Sequence, residues 1–142
     1  MNYSPRGIAL TKQFEGLRLA SYRDSTGVLT IGYGHTGDVR PGQAISQNEA
    51  DRLLVLDTGL AAGCVNRLVT VSLTQNQFDA LVDFTFNLGC HRLLGSTLLK
   101  LVNEQQFNLA ALEFLKWDWA GGQVVEGLRI RRTAEMELFQ KE

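Results

Sequence analysis

The sequence predicts an α+β protein, mostly helical, with one small antiparallel sheet near the N-terminus and a larger helical part. Three observations lead there. Helical apolar periods, each preceded by capping residues, start near Ser4, Ser46 and Thr74. Between the first two, residues 17–36 lose that period and carry a turn-rich RDSTG stretch between Tyr22 and Val28. No repeat, low-complexity tract or linker divides the 142 residues, so a single domain spanning 1–142 is expected.

Each element has a local reason. Ser4-Pro5 reads as an N-cap with proline in the first turn, opening a helix over Pro5–Glu15 that Gly16 ends. That helix is expected to bury Ile8, Leu10 or Thr11, and Phe14. Leu17 to Thr36 reads as a hairpin, with Gly27 free to take positive φ in the turn. Ser46-Gln47-Asn48-Glu49 has capping-box spacing, and Ala50, Leu53, Leu54, Leu60 and Ala61 follow on one stripe. A second box, Thr74 to Gln77, opens a helix through Phe78, Leu81, Val82 and Phe86 to Gly89. Shorter helices are expected over 96–103, 108–117 and 129–140, with Gly121-Gly122 marking a loop before the last. The sheet-bearing lobe then covers about residues 14–45, and the helical lobe the remainder.

Composition narrows the function. Hydrophobic residues make up 44% and charged residues 20%, a globular balance. A net charge of −1 lacks the basic field of a duplex DNA binder. Residues 1–40 hold five Lys/Arg against three Asp/Glu, so that face suits an anionic polymer weakly. No run approaches the roughly 20 apolar residues of a membrane span. The start lacks a basic segment followed by an apolar one, so synthesis and retention in the cytosol are expected. Cys64 and Cys90 are then expected to be buried and reduced, with a bridge open should the protein work outside the membrane. Cys90 and His91 are adjacent and show no zinc-ligand spacing, and no G-x-S-x-G elbow occurs. No metal or organic cofactor is expected.

The informative stretch is FEGLRLASYRDSTGVLTIGYGHT, residues 14–36. Glu15 sits at the carbonyl end of its helix, beside Phe14 and Leu17. Both the helix end and desolvation favour the protonated carboxyl, which suits a proton donor. Asp24, in the turn beside Arg23, is solvated and expected to stay ionised. Two carboxyl groups with opposite tendencies are how acid and base roles divide. Strand alternation puts Thr30, Gly32 and Gly34 on one nearly bare face, leaving room for a ligand against the backbone. Taken singly, each also has a plain reading: a terminal-turn glutamate, an aspartate bonding its own turn, a strand-forming threonine between bulge glycines. Asp57 falls on the buried stripe of its helix and needs a partner; His35 is the candidate, in a structural pair that locks sheet to helix.

The ordered set Glu15, Asp24, Thr30 and Gly32-Tyr33-Gly34-His35-Thr36 resembles the phage-type lysozymes, glycoside hydrolase family 24, and among them the endolysins of lambdoid phages. LTQNQFDALVDFTFNLG (73–89), GSTLL (95–99), the segment near 110–117 and GLRIRRTAEMELF (127–139) extend the likeness over nearly the whole chain. The resemblance implies a lysozyme-like fold with a cleft between the lobes. It implies hydrolysis, with inversion, of the β-1,4 bond from N-acetylmuramic acid to N-acetylglucosamine in peptidoglycan. Glu15 would be the general acid, Asp24 would activate water or steady positive charge, and Thr30 would help hold that water. Inversion needs the two carboxyl groups roughly 6.5–9.5 Å apart.

The same resemblance implies substrate contacts from Gly32, Gly34, Asn87, Ser96 and Thr97, and basic residues behind the acid at Arg129 and Arg132. An arginine near Glu15 would oppose the helix-end effect, and the sequence leaves open which prevails. A monomer acting on glycan strands, with a phage holin needed for release, is the implied setting. The near-neutral charge departs from many basic relatives. Two other readings stand beside hydrolysis: a lytic transglycosylase, in which the muramyl 6-hydroxyl replaces water, and a non-catalytic wall-binding module. Intact Asp24 and Thr30 favour hydrolysis over the transglycosylase, and a dead module would be marked by the loss of one acid, whereas both Glu15 and Asp24 are here.

Overall fold

A computed structural model describes all residues, 1–142. Helix α1 (Pro5–Glu15) leads into a hairpin of β1 (Arg18–Arg23) and β2 (Leu29–Gly32). Then come α2 (Gln47–Leu68), α3 (Gln75–Leu88), α4 (Cys90–Leu94), α5 (Thr97–Asn103) and α6 (Phe107–Glu113). A 3-10 turn at Phe114–Lys116 precedes a second hairpin, β3 (Trp119–Ala120) and β4 (Gln123–Val124), and α7 (Glu126–Gln140). This is the expected mostly helical α+β arrangement. No helix is long and apolar enough to cross a membrane.

The caps work largely as the sequence suggests. Ser4 accepts from the Gly7 amide and Pro5 opens α1. Thr74 and Gln77 form a reciprocal capping box on α3. At α2 the box is one-sided: Ser46 accepts from the Glu49 amide, but the Glu49 carboxylate turns to Arg52. The buried line of α1 is Gly7 and Thr11, while Ile8, Leu10 and Phe14 are only half-buried. Thr11 is preferred there because its hydroxyl bonds the buried carboxylate of Asp83.

Three elements differ from expectation. Helix α7 begins at Glu126, three residues early, because Val125 caps it without any side-chain hydrogen bond and leaves no sequence signal. Gly121 and Gly122, both at positive φ, join β3 to β4 in a two-residue hairpin turn, the kind of turn that requires this conformation. Helix α4 is a five-residue piece hidden between Gly89 and Gly95.

The main core lies among α2, α3, α5, α6 and α7, around Phe78, Phe84, Phe114 and Phe139. Phe84 meets Phe114 and Trp117 edge-on at centroid distances of 5.7 and 5.5 Å. Each such ring, fully buried, contributes roughly 1.5–3 kcal/mol. A smaller cluster of Tyr33, Ala50 and Leu54 fastens the first hairpin to α2. Cys64 and Cys90 are joined in a disulfide, which corrects the expectation of reduced thiols. Their neighbourhood explains it: α2 lies against α3 and α4, bringing the end of one Cys-bearing helix to the start of the other.

Candidate active site

Helix α1 is held to α3 by two carboxylates one turn apart. Asp79 accepts from the Ser4 amide and the Ser4 hydroxyl at the start of α1. Asp83 accepts from Thr11 Oγ1 at 2.7 Å, and Tyr3 OH lies 2.7 Å from the same hydroxyl. Both carboxylates are fully buried. Glu15, the last residue of α1, therefore leaves a helix whose position is set along its length. Its side chain is 19% exposed and accepts from Arg131 Nη1 at 2.6 Å.

Arg131 is itself held from behind. Its Nε and Nη2 donate to Asp83 Oδ2 and Oδ1 at 3.0 and 2.9 Å. Burial works against the charge on Arg131, but Asp83 and then Glu15 overcome it and push its pKa up. Burial would raise the Asp83 carboxyl; hydrogen bonds from Glu135 and Arg131, with the Arg131 charge, hold it below the ordinary carboxylate value. Glu135, without solvent exposure, goes the other way. Burial and the adjacent Asp83 push it well above its ordinary value, against the weaker pull of Arg132 and Arg131. Burial, then the Asp83 charge, also raises the Tyr3 phenol.

The hairpin brings the second acid. Asp24 Oδ1 accepts from Thr26 N (2.9 Å), Thr26 Oγ1 (2.7 Å) and Val28 N (3.0 Å). The Thr26 hydroxyl, then the Val28 amide, hold its carboxyl below the usual range, so it is ionised at neutral pH. Its other oxygen takes part in none of these bonds. The register Tyr22↔Thr30 puts Asp24 and Thr30 on one face of the hairpin. Thr30 is buried, and its hydroxyl donates to the Val28 carbonyl at 3.0 Å. That commits its proton and leaves its oxygen as an acceptor.

The turn after β2 meets the first acid. Ile31 and His35 exchange two backbone hydrogen bonds of 2.9 Å around Gly32-Tyr33-Gly34. Both glycines have positive φ. A Cβ on Gly34 would lie 3.1 Å from Glu15 Oε1, so the bare backbone makes room for the carboxylate. His35 Nδ1 lies 2.7 Å from Asp57 Oδ2 and Nε2 2.9 Å from the Gly37 carbonyl, linking this turn to α2.

A cleft of about 720 Å³ opens here. It is lined by Glu15 of α1, Gly34, His35 and Gly37 after β2, Leu56, Asp57 and Leu60 of α2, Phe86 and Asn87 of α3, and Cys90 of α4. Asn87 Oδ1 is shielded and unpartnered within the protein. Of the residues singled out in the sequence, the cleft gathers Glu15, Gly34, Asn87, His35 and Asp57. Asp24 and Thr30 stand on the adjoining hairpin.

The other expected contacts lie away from this cleft. Gly32 is buried against Ile45 and Ala50, because the strand ends there and its alternation does not reach Gly34. Ser96 is buried and fully engaged, accepting from the Leu99 amide and donating to the Leu93 carbonyl. Arg129 points to solvent, 3.9 Å from Glu126. Arg132 has no exposure and faces Glu135 at 2.7 Å. Thr97 is exposed in the first turn of α5 and lines none of this cleft. The cation behind the acid is Arg131. Its signal was the α7 stripe of Leu128, Arg131, Arg132, Glu135 and Leu138. Asp83 was legible as a carboxylate inside the apolar run FDALVDF, where it demands a partner.

Comparison with known proteins bears on the family and the fold. A family model described as phage lysozyme matches residues 12–135. The endolysin of Bacillus phage B103 is 48% identical over 142 residues, covering 98% of this chain. The chain spans 54% of that relative, about half its length. Among solved structures, the muramidase domain of SpmX from Asticaccaulis excentricus superposes with a TM-score of 0.94 at 40% identity, covering 99% of both chains. A mutant of P22 lysozyme superposes with a TM-score of 0.92 at 38% identity, again covering 99% of both. By its sequence and its fold, the chain belongs to the phage lysozyme family.

Proposed function

We propose that this protein is a muramidase of the endolysin type, a single domain that hydrolyses the β-1,4 bond between N-acetylmuramic acid and N-acetylglucosamine in peptidoglycan. The observation that carries the proposal is Glu15, partly exposed at the cleft, with bare Gly34 on one side and Arg131 on the other. Glu15 delivers its proton to the leaving glycosidic oxygen. Asp24, ionised, takes a proton from water as that water attacks the anomeric carbon from the opposite face. Thr30 accepts a hydrogen bond from the same water. The outcome is inversion. Asn87 Oδ1 bonds a sugar amide N–H, and Gly34 lets the glycan approach the backbone.

In this reading the protein acts on the wall after a phage holin opens the inner membrane, and it works as a monomer. The test is clearing of permeabilised Gram-negative cells by wild type against Glu15→Gln, with mass spectrometry of the products. Loss of clearing in the variant and reducing ends in the products are expected. Retained clearing by Glu15→Gln refutes the acid assignment. Anhydro ends would establish the transglycosylase, and binding without clearing the non-catalytic module.

A further inference from the structure

Resting on the muramidase reading, we infer that Asp83 is the positioning residue of this site: it grips Arg131 by two hydrogen bonds so that the remaining guanidinium nitrogen meets Glu15. Asp83 touches no substrate. It lies fully buried on α3, one side chain removed from the cleft.

An arginine offers its donors in a rigid planar fork. Once Nε and Nη2 are committed to Asp83 at 3.0 and 2.9 Å, the direction of Nη1 is no longer free, and it falls 2.6 Å from Glu15 Oε2. Thr11 fixes Asp83 from α1 at 2.7 Å, and Tyr3 fixes Thr11. The carboxylate that orients the guanidinium is thus bonded to the helix that ends in Glu15. Acid and cation are registered to the same point.

The charges facing this group come from three elements and the segment before the first. Tyr3 precedes α1, Glu15 ends α1, Asp79 and Asp83 lie on α3, and Arg131, Arg132 and Glu135 lie on α7. Burial pushes the Glu135 carboxyl up, Arg132 faces Glu135, and Asp79 is engaged by Ser4 and Gln75. Asp83 is the carboxylate that offsets Arg131 from behind. It tempers the charge Glu15 meets.

Arginine side-chain nitrogen NMR of wild type and Asp83→Asn tests this, alongside kcat and KM. Asparagine cannot accept from both Nε and Nη2 of Arg131, so the two-point grip is lost. Hindered rotation of the Arg131 guanidinium in wild type and free rotation in the variant are expected, with kcat lower by about 10-fold or more and KM little changed. A folded Asp83→Asn whose guanidinium stays as hindered as in wild type overturns the inference.

Should that variant not fold, wild type and Arg131→Lys decide. A guanidinium that rotates freely in wild type overturns the inference. A single ammonium cannot span both carboxylates, and the buried Asp83 should claim it, so kcat of Arg131→Lys should fall about 10-fold or more with KM little changed; an unchanged kcat overturns the inference. The NMR reading needs no substrate. A wild type that fails to clear cells would sink the muramidase reading, while the guanidinium rotation still judges Asp83.

Discussion

Arg131 and Glu15 meet at 2.6 Å although 116 residues separate them in the chain. The contact joins the last helix to the end of the first and places a guanidinium directly behind the candidate acid. Around it the helical lobe supplies a rigid, buried support, and the hairpin supplies the second carboxylate on a solvated turn.

The hairpin residues should rank by their distance from the chemistry. Asp24→Asn removes the charge that accepts a proton, and a loss of about 10²-fold or more in kcat is expected. Thr30→Ala removes only an acceptor for water and should lose less. Steady-state rates on purified glycan strands check the order, and a Thr30→Ala enzyme slower than Asp24→Asn reverses it.

Replacing His35 should act on stability first. His35→Asn leaves Asp57 and the Gly37 carbonyl without their ring partners. A cost of about 1–3 kcal/mol is expected, with residual turnover. Urea denaturation measures it; an unchanged midpoint would mean that the pair adds nothing to the fold.

The buried acid pair gives opposite pH dependences. Glu135 has a raised folded pKa, so its contribution is complete below the unfolded value near 4.3 and is lost as pH rises towards the folded one. Glu135→Gln removes that loss, so its stability should decline less than wild type between about pH 5 and 8. Asp83 is lowered, so its contribution is present above its unfolded value and lost in acid as pH falls through the folded one. Thermal melts across this range test the first effect; parallel curves for wild type and Glu135→Gln would contradict it.

Reduction should weaken the helical lobe. The Cys64–Cys90 bridge closes a sequence separation of 26 residues, for which chain entropy gives about 3.5 kcal/mol. Denaturation with and without a thiol reductant, repeated on Cys90→Ser, is the check. A variant as stable as the oxidised protein would show that the bridge is idle.

By itself the sequence determined what depends on neighbours along the chain. Ser4, Ser46 and Thr74 announced their helices because an N-cap acts within three residues. RDSTG announced its turn, and the order of Glu15, Asp24 and Thr30 carried the family resemblance. Asp57, half-buried on its helix, called for His35, since a partly shielded carboxylate needs a partner. Only the tertiary structure decided which arginine of the run 129–132 meets Glu15, because that choice rests on the rotation of α7 against α3, and α7 starts without a capping signal. It likewise decided that Gly34 and not Gly32 borders the acid, that Ser96 is spent on a cap, and that the two cysteines meet. These follow from packing between distant segments, where helix rotation and burial, not local propensity, select the partner.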